Sequence, residues 1–221
     1  FEALVRWQSP ELGLVSPVNF INIAEETGFI TSLGSWILEE SCSYAAKLNR
    51  QSSCDYRMSV NISVIQLLQE EFNQIVFNVL ETTGLAPALL ELEITESIIM
   101  ESPNIIIKKL RQLRDYGINI AIDDFGTGYS SLAYLRNMPI TTLKVDKVFI
   151  DDISSDNSNT VLADSIITLG HKLSLSIVAE GVETELQRRY LEEHDCDKIQ
   201  GYLFSKPLPP SDLEKLLKSK N

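Results

Sequence analysis

Short β-rich runs alternate with stretches of helical periodicity along the whole chain. The β-rich runs cover residues 2–7, 57–63, 89–95, 118–124, 141–147, 175–181 and 198–204. Between them, apolar residues recur every three or four positions, which is typical of amphipathic helices. This alternation predicts a parallel sheet with helical crossovers. Because no internal repeat and no long linker interrupts it, we predict a single domain over residues 1–221.

Four apolar stripes mark the predicted helices. The stripes are Ile37 or Leu38 with Cys42, Ala45 and Leu48; Leu68, Phe72, Ile75 and Val79; Ile106, Leu110 and Leu113; and Leu162, Ile166, Leu169 and Leu173. Helix starts are predicted at Ser102-Pro103 and at a capping box formed by Ser211 and Glu214. Helix ends are predicted at Gly28, Gly84 and Gly117. A surface loop is predicted at 154–159. Trp7 and Trp36 are predicted to lie in the core.

Open doubly wound sheets and closed barrels both satisfy this strand–helix alternation. No G-x-G-x-x-G motif follows any predicted strand, so a dinucleotide-binding open sheet has no support. Polar residues instead cluster at the C-terminal ends of successive strands, where (β/α)8 barrels assemble their sites. We therefore favour a barrel. Only seven strands can be counted, and the chain opens inside a strand, so we expect the eighth to lie upstream of Phe1.

Composition and charge exclude several function classes. Thirty-one acidic and 19 basic side chains give a net charge of −12, which argues against a polymeric nucleic acid as partner. No apolar run approaches the roughly 18 residues of a membrane-spanning helix, and the N-terminus does not resemble a signal peptide. The absence of an initiator Met suggests a piece of a longer protein. Three cysteines without a C-x-x-C pair indicate free thiols and a cytoplasmic location.

Carboxylates gather at the predicted strand ends. The polar residues at these ends are Glu2, Asn61, Glu93, Asp123, Asp124, Asp146, Glu180 and Glu183, with Lys144 and Gln200 in the same layer. So many carboxylates cannot all ionise side by side without cations. Oxygen ligands alone suit Mg²⁺ or Mn²⁺ better than zinc. Two such ions about 3.5–4 Å apart serve the in-line hydrolysis of phosphoesters.

Simpler interpretations exist for some of these residues. A single acidic residue at a strand end is more often the N-cap of the next helix, and Asp146 or Glu183 taken alone fits that description. Lys144 and Asp146 alternate on one strand, so they could form a purely structural pair. The adjacent Asp123 and Asp124 are harder to explain in this way, because at least one of them must face inward.

An ordered series of motifs resembles a known family. Glu2-Ala3-Leu4 with Arg6 opens the series. The motifs that follow are NIS at 61–63, EITES at 93–97, DDFGTGYSSL at 123–132, KVDK at 144–147, AEGVE at 179–183 and QGYLFSKPLP at 200–209. In this order, across essentially its full length, the chain resembles the EAL domain of bacterial cyclic di-GMP phosphodiesterases. The resemblance implies a modified (β/α)8, TIM-like barrel. The family's antiparallel first strand would lie upstream of residue 1, which makes the domain N-terminally incomplete.

The resemblance also implies a role for each site residue. Glu2, Asn61, Glu93 and Asp123 would bind a first metal ion, and Asp123, Asp124 and Glu180 a second, with Asp146 close by as a further metal-site residue. Catalysis would rest on Lys144, which orients or deprotonates the attacking water, together with Glu180 and Asp124. Substrate contacts would come from Arg6, Gln200 and Glu183. Glu96 would anchor the Gly-rich loop that begins at Asp124.

The activity implied is hydrolysis of cyclic di-GMP to linear 5′-pGpG with two Mg²⁺ or Mn²⁺ ions. The resemblance further implies a homodimer, attached sensor or GGDEF-type domains in a longer protein, and a cytoplasmic location, free or as the cytosolic part of a membrane-anchored protein. Three alternatives stay open. They are a non-catalytic cyclic di-GMP receptor, a regulatory dimerisation module of a larger signalling protein, and a barrel hydrolase for another phosphodiester.

Overall fold

The computed structural model describes residues 1–52, 54–96, 102–126, 135–153 and 161–220. They belong to two compact units, Phe1–Leu143 and Lys144–Asn221. The described strands are β1 (Glu2–Ala3), β2 (Trp7–Ser9), β3 (Gly13–Val15), β4 (Met58–Asn61), β5 (Leu90–Thr95), β6 (Asn119–Phe125), β7 (Thr142–Val145), β8 (Ser176–Ala179) and β9 (Lys198–Ile199). The described helices are α1 (Ile21–Glu26), α2 (Ile30–Gln51), α3 (Val64–Leu68), α4 (Phe72–Thr83), α5 (Pro103–Asp115), α6 (Lys147–Asp151), α7 (Val161–Lys172), α8 (Glu185–Glu193) and α9 (Pro210–Lys220).

Parallel pairing in chain order builds the sheet of the first unit. β1 pairs with β4, β4 with β5, and β5 with β6, all in parallel. The register sets Asn61 opposite Glu93, and Thr95 opposite Asp123. Because parallel strands end at the same edge of a sheet, this register gathers the polar strand ends there.

Both faces of β5 are buried, as parallel sheets require. Leu92 and Ile94 lie on one face and Glu91 and Glu93 on the other, and all four are at most 5% exposed. Helices cover the apolar face: α2 packs on β4 and α4, and α5 packs on β6. Two kinds of layer therefore share the strands, an apolar one under the helices and a polar one opposite it.

The second unit repeats the strand–helix pattern. β8 pairs with β9 in parallel, with Ala179 opposite Ile199, and α7 packs on β8. Just beyond the strand ends, the Glu180 N–H donates to the Val145 carbonyl at 3.0 Å and the Gln200 N–H to the Ala179 carbonyl at 2.8 Å. These bonds fix the backbone at three successive polar strand ends.

The seven predicted strands are all found, but two of them are reduced to two residues each. The run at 2–7 contributes only Glu2–Ala3, and Trp7–Ser9 instead pairs antiparallel with Gly13–Val15 in a separate hairpin. The run at 198–204 ends at Ile199, because the chain turns at Gly201, whose carbonyl accepts from Phe204 N–H at 3.1 Å. The eighth strand, placed ahead of Phe1, stays a prediction.

Helix predictions succeed where the stripe is unambiguous. Leu38, Cys42, Ala45 and Leu48 are buried, as are Ile106, Leu110 and Leu113. Helix α5 begins at Pro103 as expected, and positive φ angles at Gly28, Gly84 and Gly117 follow helix ends. The predicted loop at 154–159 lies outside the described residues. In the part of the chain that is described, no helix is long and apolar enough to span a membrane.

Other helix predictions are wrong. A break separates α3 from α4, and Val76 and Leu80 are buried in place of Ile75 and Val79. Leu162 is 54% exposed, because α7 buries Ala163, Ile167 and Gly170 together with Ile166, the one predicted position of this stripe that is buried in the helix. Helix α9 already begins at Pro210, so Ser211 is not its N-cap. Trp7 and Trp36 are 46% and 55% exposed rather than core residues.

Candidate active site

The first unit places Glu2, Asn61 and Glu93 on three adjacent strands. Asn61 Nδ2 donates to Glu2 Oε1 at 2.9 Å, which joins the ends of β1 and β4. Glu93, opposite Asn61 in the ladder, is only 2% exposed. A carboxylate this deeply buried is costly unless a cation or hydrogen bonds compensate it. Carboxylate and amide oxygens at one sheet edge form a donor set that fits a hard divalent cation.

Two further carboxylates end β6. One oxygen of Asp123 and one of Asp124 lie within 4.8 Å of each other, close enough to share an ion. The Asp124 N–H donates to Asp123 Oδ1 at 3.0 Å. Asp124 has φ = 53°, in the left-handed region that is uncommon for residues other than glycine. The strand therefore turns sharply at Asp124.

Glu96 connects the end of β5 to the segment after β6. Its side chain is buried, and its Oε2 accepts the Gly126 N–H at 3.2 Å. Gly126 follows Asp124 by two residues, so this bond fixes the backbone directly beyond the acidic pair. Most of the Gly-rich loop, from residue 127 to 134, lies outside the described residues.

Arg6 lies on the segment between β1 and β2. Arg6 is exposed, and its Nη1 donates to the Val5 carbonyl at 2.8 Å. An exposed guanidinium keeps a planar fork of donors that suits a phosphate. Its role in substrate binding stays a prediction.

The second unit contains a buried ion pair. Lys144 Nζ lies 2.7 Å from Glu180 Oε1, and the Lys144 side chain is 2% exposed. Asp146 Oδ1 accepts the Val148 N–H at 2.7 Å and caps helix α6. Asp146 therefore caps the next helix, as the simpler interpretation predicts. Its role at a metal ion stays a prediction.

Glu183 is held by Lys147, a residue to which the sequence analysis gave no role. Lys147 Nζ donates to Glu183 Oε1 at 3.0 Å and to Asp151 Oδ1 at 2.8 Å, and these bonds raise the pKa of Lys147 above its ordinary value. The Lys147 stem crosses Gly181, where an added Cβ would lie 2.7 Å from Lys147 Cβ. The KVDK motif contained this residue, but sequence offers no signal for its partners.

Backbone and capping bonds also hold the segment from Glu180 to Glu183. The Val182 N–H donates to the Gln200 carbonyl at 3.0 Å. The Glu183 N–H donates to Gln187 Oε1 at 2.8 Å, and Gln187 forms a capping box with Thr184 at the start of α8. These hydrogen bonds thus fix the turn that contains Glu180 and Glu183 and join it to the backbone of Gln200.

Comparison with known proteins identifies the family. The EAL domain family model matches residues 1–207. The cyclic di-GMP phosphodiesterase NbdA of Pseudomonas aeruginosa is 44% identical over 99% of this chain, which spans 28% of that protein. The cyclic di-GMP phosphodiesterase PdeR of Escherichia coli is 37% identical over 98% of the chain, which spans 33% of PdeR. The chain thus spans about a quarter to a third of the length of the curated relatives it matches.

Solved structures agree with the sequence comparison. The PaMucR phosphodiesterase in complex with c-di-GMP matches with a TM-score of 0.91 and 40% identity, over 96% of this chain and 86% of the chain in that structure. The predicted α/β, TIM-like fold class is therefore confirmed. Since the family model covers nearly all of the chain, and 98–99% of the chain aligns with each of the two relatives, the chain belongs to the EAL domain family.

Proposed function

We propose that this chain is a metal-dependent phosphodiesterase that hydrolyses cyclic di-GMP to linear 5′-pGpG. Family membership over residues 1–207, with every motif residue of the site present in order, carries the proposal. Relatives at 37–44% identity are named cyclic di-GMP phosphodiesterases, and PaMucR is a complex with this dinucleotide. We propose the same activity for any longer protein that contains this chain.

The proposed metal ligands are carboxylates and one amide. Glu2, Asn61, Glu93 and Asp123 would hold one Mg²⁺ or Mn²⁺ ion, and Asp123, Asp124 and Glu180 the other, with Asp146 nearby. A bound pair of such ions supplies an acidified water and neutralises charge on the phosphoryl oxygens. The buried Glu93 at the sheet edge and the close carboxylates of Asp123 and Asp124 support this assignment, because they offer the oxygen ligands that a hard divalent cation binds.

Lys144 is the proposed general acid–base residue, with Glu180 and Asp124 beside it in the catalytic set. Its ammonium, which lies 2.7 Å from Glu180 Oε1, would orient the attacking water. A catalytic carboxylate would take one proton from that water, and the ammonium would give a proton to the departing 3′ oxygen. The water oxygen bonds to phosphorus as the bond to the 3′ oxygen breaks, which opens the ring and yields 5′-pGpG. Arg6 would stabilise the phosphoryl charge, and Gln200 and Glu183 would contact the dinucleotide.

One experiment tests this function against its alternatives. The purified chain is incubated with cyclic di-GMP and Mn²⁺, and the products are separated by chromatography. We expect 5′-pGpG, and no product from Glu2→Ala. Cyclic di-AMP and bis(p-nitrophenyl) phosphate serve as competing substrates. Binding without turnover would establish a receptor, faster hydrolysis of either competitor would establish another phosphodiesterase, and neither binding nor turnover would favour a regulatory module.

We also propose that the chain acts as a homodimer, in the cytoplasm, joined to sensor or GGDEF-type domains. The length of the relatives supports the last point, and one of them, MucR of Pseudomonas aeruginosa, is named a bifunctional diguanylate cyclase and phosphodiesterase. Light scattering of the purified chain tests the dimer, which a monomeric mass at assay concentration would contradict.

A further inference from the structure

A second layer of polar side chains lies two residues before the proposed metal ligands on the same strands. Its centre is Glu91 on β5, which is 5% exposed and two residues before Glu93. Since side chains alternate along a strand, Glu91 and Glu93 leave β5 on the same face. The same spacing relates Ser59 to Asn61 on β4, and the ladder pairs Ser59 with Glu91 and Asn61 with Glu93.

Three donors from two segments, one at β4 and one at the start of β7, converge on the Glu91 carboxylate. Ser59 Oγ donates to Oε1 at 3.0 Å, and Thr142 Oγ1 and Arg57 Nη1 donate to Oε2 at 2.7 and 3.2 Å. Ser59 and Thr142 are themselves buried. A buried carboxylate that is satisfied by several donors holds them firmly, because losing one leaves charge uncompensated in a dry environment.

The bond to Thr142 reaches past a neighbouring strand. β6 pairs directly with β5, and on its other side the Thr141 N–H donates to the Ile120 carbonyl at 2.9 Å. Glu91 therefore joins β4, β5 and the start of β7 by side chains, independently of the ladder. Lys144 follows Thr142 by two residues on β7.

We propose that Glu91 is a positioning residue for the metal site: its carboxylate fixes the strands that carry Asn61 and Glu93, one layer below those ligands. This inference rests on the proposed function, since it concerns the metal ligands named there. Residues outside the ligand shell that orient ligands commonly change metal affinity by 10–100-fold when they are altered.

The test uses Thr142→Val, which removes one donor at nearly constant volume, and Thr142→Ser, which keeps the hydroxyl. Glu91→Gln weakens the whole cluster, and Ile106→Val is a control that loosens the core on α5. Mn²⁺ affinity is measured by calorimetry at a temperature where circular dichroism shows every variant folded. We expect Thr142→Val and Glu91→Gln to raise the Mn²⁺ Kd about tenfold, and Thr142→Ser and Ile106→Val to leave it near the wild-type value.

Wild-type Mn²⁺ affinity in folded Thr142→Val would overturn the inference, and the two Thr142 variants decide it even if Glu91→Gln does not fold. A wild-type chain that binds Mn²⁺ but leaves cyclic di-GMP intact would defeat the proposed function alone. A wild-type chain that does not bind Mn²⁺ would defeat both.

Discussion

Lys144 Nζ lies 2.7 Å from Glu180 Oε1, with the lysine 2% and the glutamate 18% exposed. The ammonium is thus paired with a carboxylate in a nearly dry environment. Removing one partner of a buried ion pair costs about 3–5 kcal/mol, because the other charge is left uncompensated. Loss of Lys144 should therefore affect stability as well as chemistry, and the two effects must be measured apart.

Replacing Lys144 by Ala should lower kcat about 100-fold or more, as expected for a positioned acid–base group, while dinucleotide affinity changes much less. Steady-state kinetics give kcat, and titration with cyclic di-GMP in Ca²⁺ gives affinity. Chemical denaturation checks that the variant is folded. Glu2→Ala should instead lose metal binding and turnover together. A wild-type rate in Lys144→Ala would reduce Lys144 to a structural partner of Glu180.

Turnover should require Mg²⁺ or Mn²⁺ and should fall sharply in Ca²⁺. Calcium takes more ligands in a looser geometry and acidifies bound water less. Product formation is followed after each ion is added back to protein stripped with a chelator. Equal rates in Ca²⁺, or full activity in excess chelator, would contradict the two-metal proposal.

Glu96→Ala should weaken both activity and Mn²⁺ affinity although Glu96 is not a proposed ligand. The Gly126 N–H would lose its acceptor, and the backbone beyond Asp123 and Asp124 would be free to shift. Glu96→Gln is the matched control, because its side-chain oxygen can still accept from Gly126. Unchanged Mn²⁺ affinity in Glu96→Ala would defeat the anchoring role.

Gly181→Ala should destabilise the fold more than Gly28→Ala does. Both glycines have positive φ, 69° and 74°, but an added Cβ meets Lys147 at Gly181 and nothing within 4 Å at Gly28. Backbone strain of about 1–2 kcal/mol is common to both variants, so the difference isolates the clash. Urea denaturation gives the free energy of unfolding of each.

Combining Gly181→Ala with Lys147→Ala completes this comparison. If the Lys147 stem causes the clash, the double variant should lose less stability than the sum of the two single variants. Strict additivity would show that the Lys147 atoms beyond Cβ do not cause the clash, since alanine keeps the Lys147 Cβ that lies 2.7 Å from the added Cβ. The KM for cyclic di-GMP should rise in Gly181→Ala, since Glu183 depends on the same lysine.

Thiol reactivity should separate two of the cysteines. Burial raises the pKa of Cys42 to about 12, so its reactive thiolate is scarce at pH 8 in the folded protein, whereas Cys54 is exposed. A chromogenic disulfide reagent should label Cys54 at once and Cys42 only on unfolding. Peptide mapping identifies the labelled sites, and rapid native labelling of Cys42 would contradict its burial.

The sequence predicts what is local and periodic. Strand β5 and the buried stripe of α5 could be predicted because the apolar residues of the pattern fall on a single face of each element. Helix α7 is apolar on more than one side, so periodicity alone placed Leu162 inside and missed Ile167. The hairpin at Trp7 was missed because its strands are only three residues each, too short for an alternation to be recognised.

Side-chain partners distant in sequence could not be predicted from spacing, and the resemblance alone anticipated one of them, the contact of Glu96 with the segment after β6. Thr142 is 51 residues from Glu91, and Glu183 is 36 residues from Lys147. Which residues meet depends on how strands are placed in the folded sheet, and no spacing rule encodes that. The motif series supplied the candidate ligands, whereas the residues that hold them emerge only from the structure.

The backbone conformation of Asp124 favours glycine, whereas its place at the end of the strand favours a carboxylate. A φ of 53° is a conformation that glycine adopts freely, and it costs most other residues about 1 kcal/mol or more. Aspartate, whose short side chain tolerates this region better than most, is a compromise between a relaxed turn and a carboxylate at the strand end. In a relative that no longer needs the proposed metal site, glycine at this position would relieve the backbone strain. The residue found here would therefore indicate whether selection still maintains the proposed activity.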